Sequence, residues 1–449
     1  MPASRLAEVA PGVLVASSRF MTTNTVVVAS GRDALVVDPG VHLDEMGALA
    51  GDLLTRRLEP VGGFATHAHW DHLLWHRDLG LVPRWASAAT VGDGIAHHHE
   101  LIDQAEAVVE LDDERMGLGL TPVDDALPWG GPDAVLVTHD AHAVGHSALH
   151  LPDLGLLVAG DMGSDIEVPL LEHGVPAPQA LLAYHDGLER LAVLDRVDVV
   201  VTGHGHVCDG AMWRRRLDAD RRYLDDIAAG RPGHDTRLIE PWLVDADSGM
   251  RASLTKRAWR QWVRTLEPPT GTQTAAVLDG LAAFLGTRPG FVAAYLPLPG
   301  EVDLGSLLSS ARQERPLTRL PGHATVLADV VALPRMEDDG TVTWRSDEGD
   351  RERHDLGFDQ PADHLAHVDP FDLDVLLVPG RLFDRHGVRL GRGGGHYDRV
   401  LPRLRPGASI IGVTVDQRIV PRLPTERHDR PMTHLATDSG VRAVPPAGP

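Results

Sequence analysis

Val61-Gly62-Gly63-Phe64-Ala65-Thr66-His67-Ala68-His69-Trp70-Asp71-His72 decides how the first half of this chain folds. The apolar run 61–65 reads as a short buried strand. The four potential ligands His67, His69, Asp71 and His72 therefore sit on the loop that leaves a strand end. Residues two apart in an extended segment project to one side, which directs His67 and His69 together, while Asp71 and His72 turn toward a second point. Imidazoles and a carboxylate suit zinc, and also iron or manganese. A chain with 25 His also makes clusters by chance, and His97-His98-His99-Glu100 is read as one of those. The 67–72 string differs because companions follow downstream.

Val13-Leu14-Val15, Thr25–Val28 and Ala34–Asp38 read as strands, with Gly31-Arg32-Asp33 as the turn between the last two. Residues 42–58 have helical spacing. Farther on, Gly145-His146-Ser147, the strand Leu156–Asp161 and the strand with its tail Val199–His206 each place a candidate ligand directly after a glycine: His146, Asp161 and His204. Trp70, His142 and His150 read as packing or solvated residues, His206 as a rival to His204, and Cys208 as a small buried side chain.

Asp38, the H-x-H-x-D-H string, Gly145-His146-Ser147, Gly160-Asp161 and Gly203-His204-Gly205, in that order, make the first half resemble a metallo-β-lactamase-superfamily hydrolase. The resemblance implies an αββα sandwich with its site at one edge. It implies one metal on His67, His69 and His146, and a second on Asp71, His72 and His204, with Asp161 bridging both. Two such cations lower the pKa of water toward neutrality. Asp71 could handle the proton, and Asp38 would orient a ligand. The substrate class stays open among esters, thioesters, lactones, amides and phosphodiesters.

The chain has 449 residues, 43% hydrophobic and 24% charged. A net charge of -22 argues against non-specific nucleic-acid binding. No apolar run approaches the roughly 18 residues of a membrane span, and Met1-Pro2-Ala3-Ser4-Arg5 does not begin a signal peptide, so the expected location is cytoplasmic. Residues 211–228 read as a charged helix, 235–252 show no clear pattern, and a seam is placed near 250, giving domains 1–250 and 251–449. Oligomeric state is left open. Lys256 is the only lysine, so 41 of the 42 Lys+Arg residues are arginine.

Past the seam, Lys256–Arg264 reads as a helix capped by Thr255, with Lys256, Arg260 and Arg264 on one face. Phe291–Leu296, Thr325–Arg335 and Asp374–Gly380 read as strands, 303–312 as a helix, and Asp338-Asp339-Gly340 as a hairpin turn. In Arg389-Leu390-Gly391-Arg392-Gly393-Gly394-Gly395-His396-Tyr397-Asp398-Arg399, four glycines within five residues free backbone N–H groups to approach a polyphosphate. A following helix would add its positive end. No Lys-Ser or Lys-Thr follows, so this is not a Walker A loop.

These residues, with Tyr295, Glu301-Val302-Asp303, Pro334-Arg335, Val378-Pro379-Gly380, Phe383-Asp384, Leu423-Pro424 and His428-Asp429, make the second half resemble 5-formyltetrahydrofolate cyclo-ligase. The resemblance implies an open α/β three-layer domain that uses ATP to close 5-formyltetrahydrofolate to 5,10-methenyltetrahydrofolate. Lys256 would reach the terminal phosphates as a point charge and act with Arg389. Arg260 and the loop Arg389, Leu390, Gly391, Arg392, Gly393, Gly394, Gly395, His396 and Tyr397 would hold the rest of ATP. Asp398 and Asp429 would hold Mg²⁺. Leu296, Glu301 and Arg392 would meet the folate, and Phe358 could stack on its pterin. The chain departs from the family's usual residues at Leu304, Gln360, Gly394 and His396. The departures at Gln360 and His396 motivate an alternative, in which this half is a folate- or nucleotide-binding module regulating an active hydrolase.

Overall fold

The computed structural model describes residues 6–111, 116, 118–286, 290–308, 330–339, 341–355 and 357–445. The chain separates into two compact units, Met1–Ile227 with Arg231–Leu254, and Thr255–Pro449 with Ala228–Gly230.

In the first unit, Ala7–Ala10, Val13–Ser17, Asn24–Ser30, Asp33–Val37, Glu59–Phe64, Arg84–Ser87 and Leu120–Val123 form a seven-stranded sheet in sequence order. Its first four strands are antiparallel and the rest parallel. A second sheet of five runs Cys208–Asp209, Val199–Thr202, Leu156–Gly160, Ser147–Leu151 and Val135–Thr138. Strand side chains alternate between faces. Val13, Val15, Val26, Val28, Leu35 and Val37 therefore face Leu149, Leu151, Leu156 and Val158 of the other sheet. The interleaved Leu14, Val27, Ala34 and Val36 pack on the far side beneath Leu49 and Leu53 of the helix Leu43–Arg56. Both faces are apolar because one meets the second sheet and the other a helix, which is the layered αββα arrangement expected. Residues 235–252, read as patternless, hold the helix Pro241–Ser253. Its Asp-Ser-Gly stretch looks like a loop in one dimension. Leu243, Asp247 and Met250 are nonetheless buried, and Asp247 accepts a hydrogen bond from the Tyr223 hydroxyl at 3.0 Å.

In the second unit an eight-stranded sheet runs His367–Val368, Val342–Ser346, Val330–Met336, Phe291–Ala293, Val375–Pro379, Ser409–Val413, His434–Thr437 and Gly440–Ala443. Its central strands are parallel and its flanks antiparallel. Val375, Leu377, Ile411 and Val413 face Val277, Leu281 and Leu285 of the helix Gly271–Leu285. Leu376, Val378 and Ile410 face Val400, Leu401 and Leu404 on the other side. This is the three-layer α/β domain expected. The helix Lys256–Trp262 starts as read, with the Thr255 side chain accepting from Ala258 N. The expected helix 303–312 is described only through its helical residues 305–308, and Gly340 and the start of the 325–335 strand lie outside the described residues.

Candidate active sites

The first unit gathers its ligand-type side chains at strand ends. The strand Glu59–Phe64 leads into His67, His69, Asp71 and His72; Asp161 follows Gly160 and His204 follows the strand Val199–Thr202. One group of donor atoms is His67, His69, His142 and Asp161, and a second is Asp71, His72 and His204. In the first, His69 Nδ1 stands 3.0 Å from His67 Nε2 and 3.1 Å from His142 Nε2. Asp161 Oδ2 lies 3.6 Å from His67 Nε2 and 3.2 Å from His142 Nε2. In the second, Asp71 Oδ2 is 3.3 Å from His204 Nε2 and 3.6 Å from His72 Nε2. Asp161 also reaches it, 3.2 Å from His72 Nε2 and 3.3 Å from His204 Nε2. Donors bonded tetrahedrally at zinc-like lengths stand roughly 3.3 Å apart, so both groups fit a small cation. Close packing enforces this: a Cβ on Gly203 would fall 1.9 Å from Asp161 Oδ1.

The residues behind the donors fix their orientation. Asp38, itself at φ 48, accepts from Thr66 N at 3.0 Å and Thr66 Oγ1 at 2.8 Å. Its Oδ2 lies 2.9 Å from His72 Nδ1, which leaves His72 Nε2 facing the group. His204 Nδ1 turns to Met21 O at 3.1 Å. Burial holds His67 far below the ordinary imidazole range and His69 down at about 3, so both present lone pairs. Burial also opposes protonation of His72 and His204, but the carboxylates of Asp161 and Asp71 overcome it and raise both well above the usual value. Burial would raise Asp71, yet His72 and His204 bring it to about 2. Buried carboxylates here demand positive charge, which a metal supplies as well as a proton.

His146 departs from the expectation. Its Nε2 receives the backbone N–H of Asp161 at 3.0 Å, so that nitrogen is already used, and His142 occupies the place expected for it. The sequence alone reads His142 as a packing or solvated residue. Glu167 was not singled out, yet its buried carboxylate groups with Asp161 and His204, and burial raises its pKa to about 7. His206 turns away to Asp165, 3.1 Å from its Oδ2. Trp70 packs edge-on against Phe20 at 5.1 Å.

The second unit holds a cavity of about 670 Å³ at the carboxyl ends of its central strands, lined among others by Tyr295, Leu296, Pro334, Pro379 and Gly380. Open α/β sheets bind ligands at such ends. Lys256, Arg260, Glu301, Arg389, Gly391–Asp398 and Asp429 share its wall, as does Phe358. Lys256 Nζ is 2.8 Å from Asp429 Oδ2 and 3.2 Å from Glu426 Oε2. Arg260 Nε donates to Gly391 O at 3.0 Å, and Arg392 Nε to Glu301 Oε1 at 3.2 Å. Gly393 and Gly395 have φ of 107 and 66, which an L side chain rarely adopts. The helix after the loop, His396–Val400, has only five residues.

Two of the expected residues stand in settings that the sequence does not announce. The Leu390 side chain is buried beneath the loop and does not line the cavity. Asp398 is held by Arg389, 2.9 Å from its Nη2, while the donor group around Asp429 consists of Glu426 and His428. Asp398 and Asp429 thus each stand beside a basic side chain, Arg389 and Lys256 respectively, on the wall of one cavity. Of the departures, Gln360 is buried and accepts from Met336 N at 3.0 Å, and Leu304 belongs to the core.

Residues 19–204 match the family model of the metallo-beta-lactamase superfamily, and residues 267–438 that of the 5-formyltetrahydrofolate cyclo-ligase family. A 5-formyltetrahydrofolate cyclo-ligase of Mycolicibacterium smegmatis is 46% identical over 66 residues, 15% of this chain and 34% of that protein, so the chain spans about a third of that relative. A hydroxyacylglutathione hydrolase of Rhodobacter capsulatus is 28% identical over 238 residues, 50% of this chain and 83% of that one. The solved structure of Aquifex aeolicus 5,10-methenyltetrahydrofolate synthetase is 26% identical, with 43% of this chain and 95% of that chain covered and a TM-score of 0.36. Residues 19–204 thus form a metallo-beta-lactamase-superfamily domain and residues 267–438 a 5-formyltetrahydrofolate cyclo-ligase-family domain, joined in one chain and both of enzyme families.

Proposed function

We propose that the first unit is a dinuclear metal-dependent hydrolase, and the observation that carries this is the pair of donor groups, with Asp161 a member of one and within 3.3 Å of His72 and His204 of the other. His67, His69 and His142 would hold one transition-metal ion and Asp71, His72 and His204 the other, zinc with iron and manganese as alternatives. Bound metals supply Lewis acidity and lower the pKa of water. The chain's own part is orientation: Asp38 sets the face of His72 and Met21 O that of His204. Asp71, ionised and within reach of both histidines, would offer its carboxylate to the second ion. Among ester, thioester, lactone, amide and phosphodiester substrates, the relative named hydroxyacylglutathione hydrolase favours a thioester. Screening the metal-loaded chain against these classes tests the reading; no turnover of any class with full metal content would end it.

For the second unit we propose ATP-dependent cyclisation of 5-formyltetrahydrofolate. Lys256, Arg260, Arg389, Arg392 and Glu301 converge on one cavity, which supports it. Lys256, held by Asp429 and Glu426, would meet the terminal phosphates, and Asp398 and Asp429 would offer carboxylate oxygens to Mg²⁺. Glu301 and Arg392 would meet the folate. Formation of 5,10-methenyltetrahydrofolate in the presence and absence of ATP is the test.

A further inference from the structure

A second cavity, of about 480 Å³, opens in the first unit between the helix Gly210–Ala229 and the segment 232–237. Arg215, Arg216, Arg222, Arg237 and Arg251 line it. In a chain of net charge -22 this is a local reversal of sign. The acids in its wall are already used: Asp165 pairs with Arg216 at 3.1 Å, Asp226 with Arg231 at 2.6 Å, and Asp235 with Arg237 at 2.8 Å. Arg237 is further fixed by the buried Asp220 at 2.6 Å.

What remains is donor capacity without acceptors. Arg215 and Arg222 are exposed, and neither forms a hydrogen bond or an ion pair within 4 Å among the described residues, although the charge of Arg222 acts on Asp235. The side chain of Arg216 is 9% exposed, and its Nε is buried without a partner, as is Arg251 Nη2. Buried polar groups are normally satisfied, and guanidinium groups match the paired oxygens of carboxylate and phosphate. Arg215 and Arg222, seven residues apart, sit two turns along one helix face, about 10 Å from each other. The wall formed by Ser164 and Asp165 is the continuation of the loop that carries Asp161, and Asp165 accepts the backbone N–H of His206 at 2.9 Å.

We propose that this cavity binds the oxyanion group, carboxylate or phosphate, of a small molecule. The site adjoins the proposed metal groups through one loop but uses none of their donors, so it does not depend on the hydrolase reading. The test is calorimetric titration of the full chain with succinate and, separately, inorganic phosphate. Arg215→Gln/Arg222→Gln removes two exposed charges and leaves the buried ion pairs in place, and its melting curve checks the fold. Lys256→Gln controls for anion binding by the other unit. The expected result is saturable binding of at least one probe that persists in Lys256→Gln and is weakened at least tenfold when Arg215→Gln/Arg222→Gln is added; the probe that binds identifies the oxyanion. No saturable binding of either probe by the parent chain, or equal affinity in the folded double variant, would overturn the proposal.

Discussion

His142 Nε2 stands 3.2 Å from Asp161 Oδ2, while His146 Nε2 receives Asp161's backbone N–H. One histidine faces the donor group and the other braces the strand end behind it. His142→Ala should therefore lose about one metal equivalent per chain after zinc reconstitution and desalting. His146→Gln should retain both if folded. Elemental analysis showing the reverse pattern would return the ligand role to His146.

Asp38 touches no other donor of the second group, yet its contact to His72 Nδ1 fixes that ring's tautomer. Asp38→Asn should weaken metal binding about 10- to 100-fold. Competition against a chromophoric chelator measures this directly. Unchanged affinity would mean that His72 is oriented by packing alone.

His72 and His204 are raised well above the ordinary imidazole value by Asp161 and Asp71 in spite of burial, which favours their protonated forms in the metal-free chain. A metal must displace those protons. Affinity should accordingly rise with pH and fall as the medium is acidified. Calorimetry in buffers of different ionisation enthalpy should report release of at least about one proton per chain on loading. A zero net release at pH 7 would contradict the raised values.

Lys256→Arg keeps the charge but replaces a compact ammonium with a planar fork. Cyclo-ligase kcat/KM should fall at least about tenfold, or about 1.4 kcal/mol of transition-state stabilisation. Hydrolase activity should not change, because Lys256 belongs to the other unit. Wild-type constants, with ATP varied at saturating folate, would retire the phosphate role.

The sequence by itself determined the strand alternation of Val13–Val15 and Val26–Val28, the Thr255 cap, the strand-end position of the 67–72 string and the resemblance of each half to its family. Those are local properties, set by period-2 patterning and by side-chain chemistry at fixed spacing. Only the tertiary structure brings His142, and not His146, into the donor group with His67, His69 and Asp161. His142 sits at φ 66, a left-handed conformation that no periodicity announces in a non-glycine residue, and that turn helps place its ring beside His69 and Asp161. Glu167 and the pairing of Asp398 with Arg389 were hidden for a related reason. Whether a carboxylate is free for a cation depends on which neighbours the folded chain brings against it, and those neighbours come from elsewhere in the sequence. The helix Pro241–Ser253 was hidden because its loop-like Asp-Ser-Gly stretch is held by packing of Leu243 and Met250 and by the Tyr223 hydroxyl on Asp247. Tertiary contacts there outweigh a weak local preference.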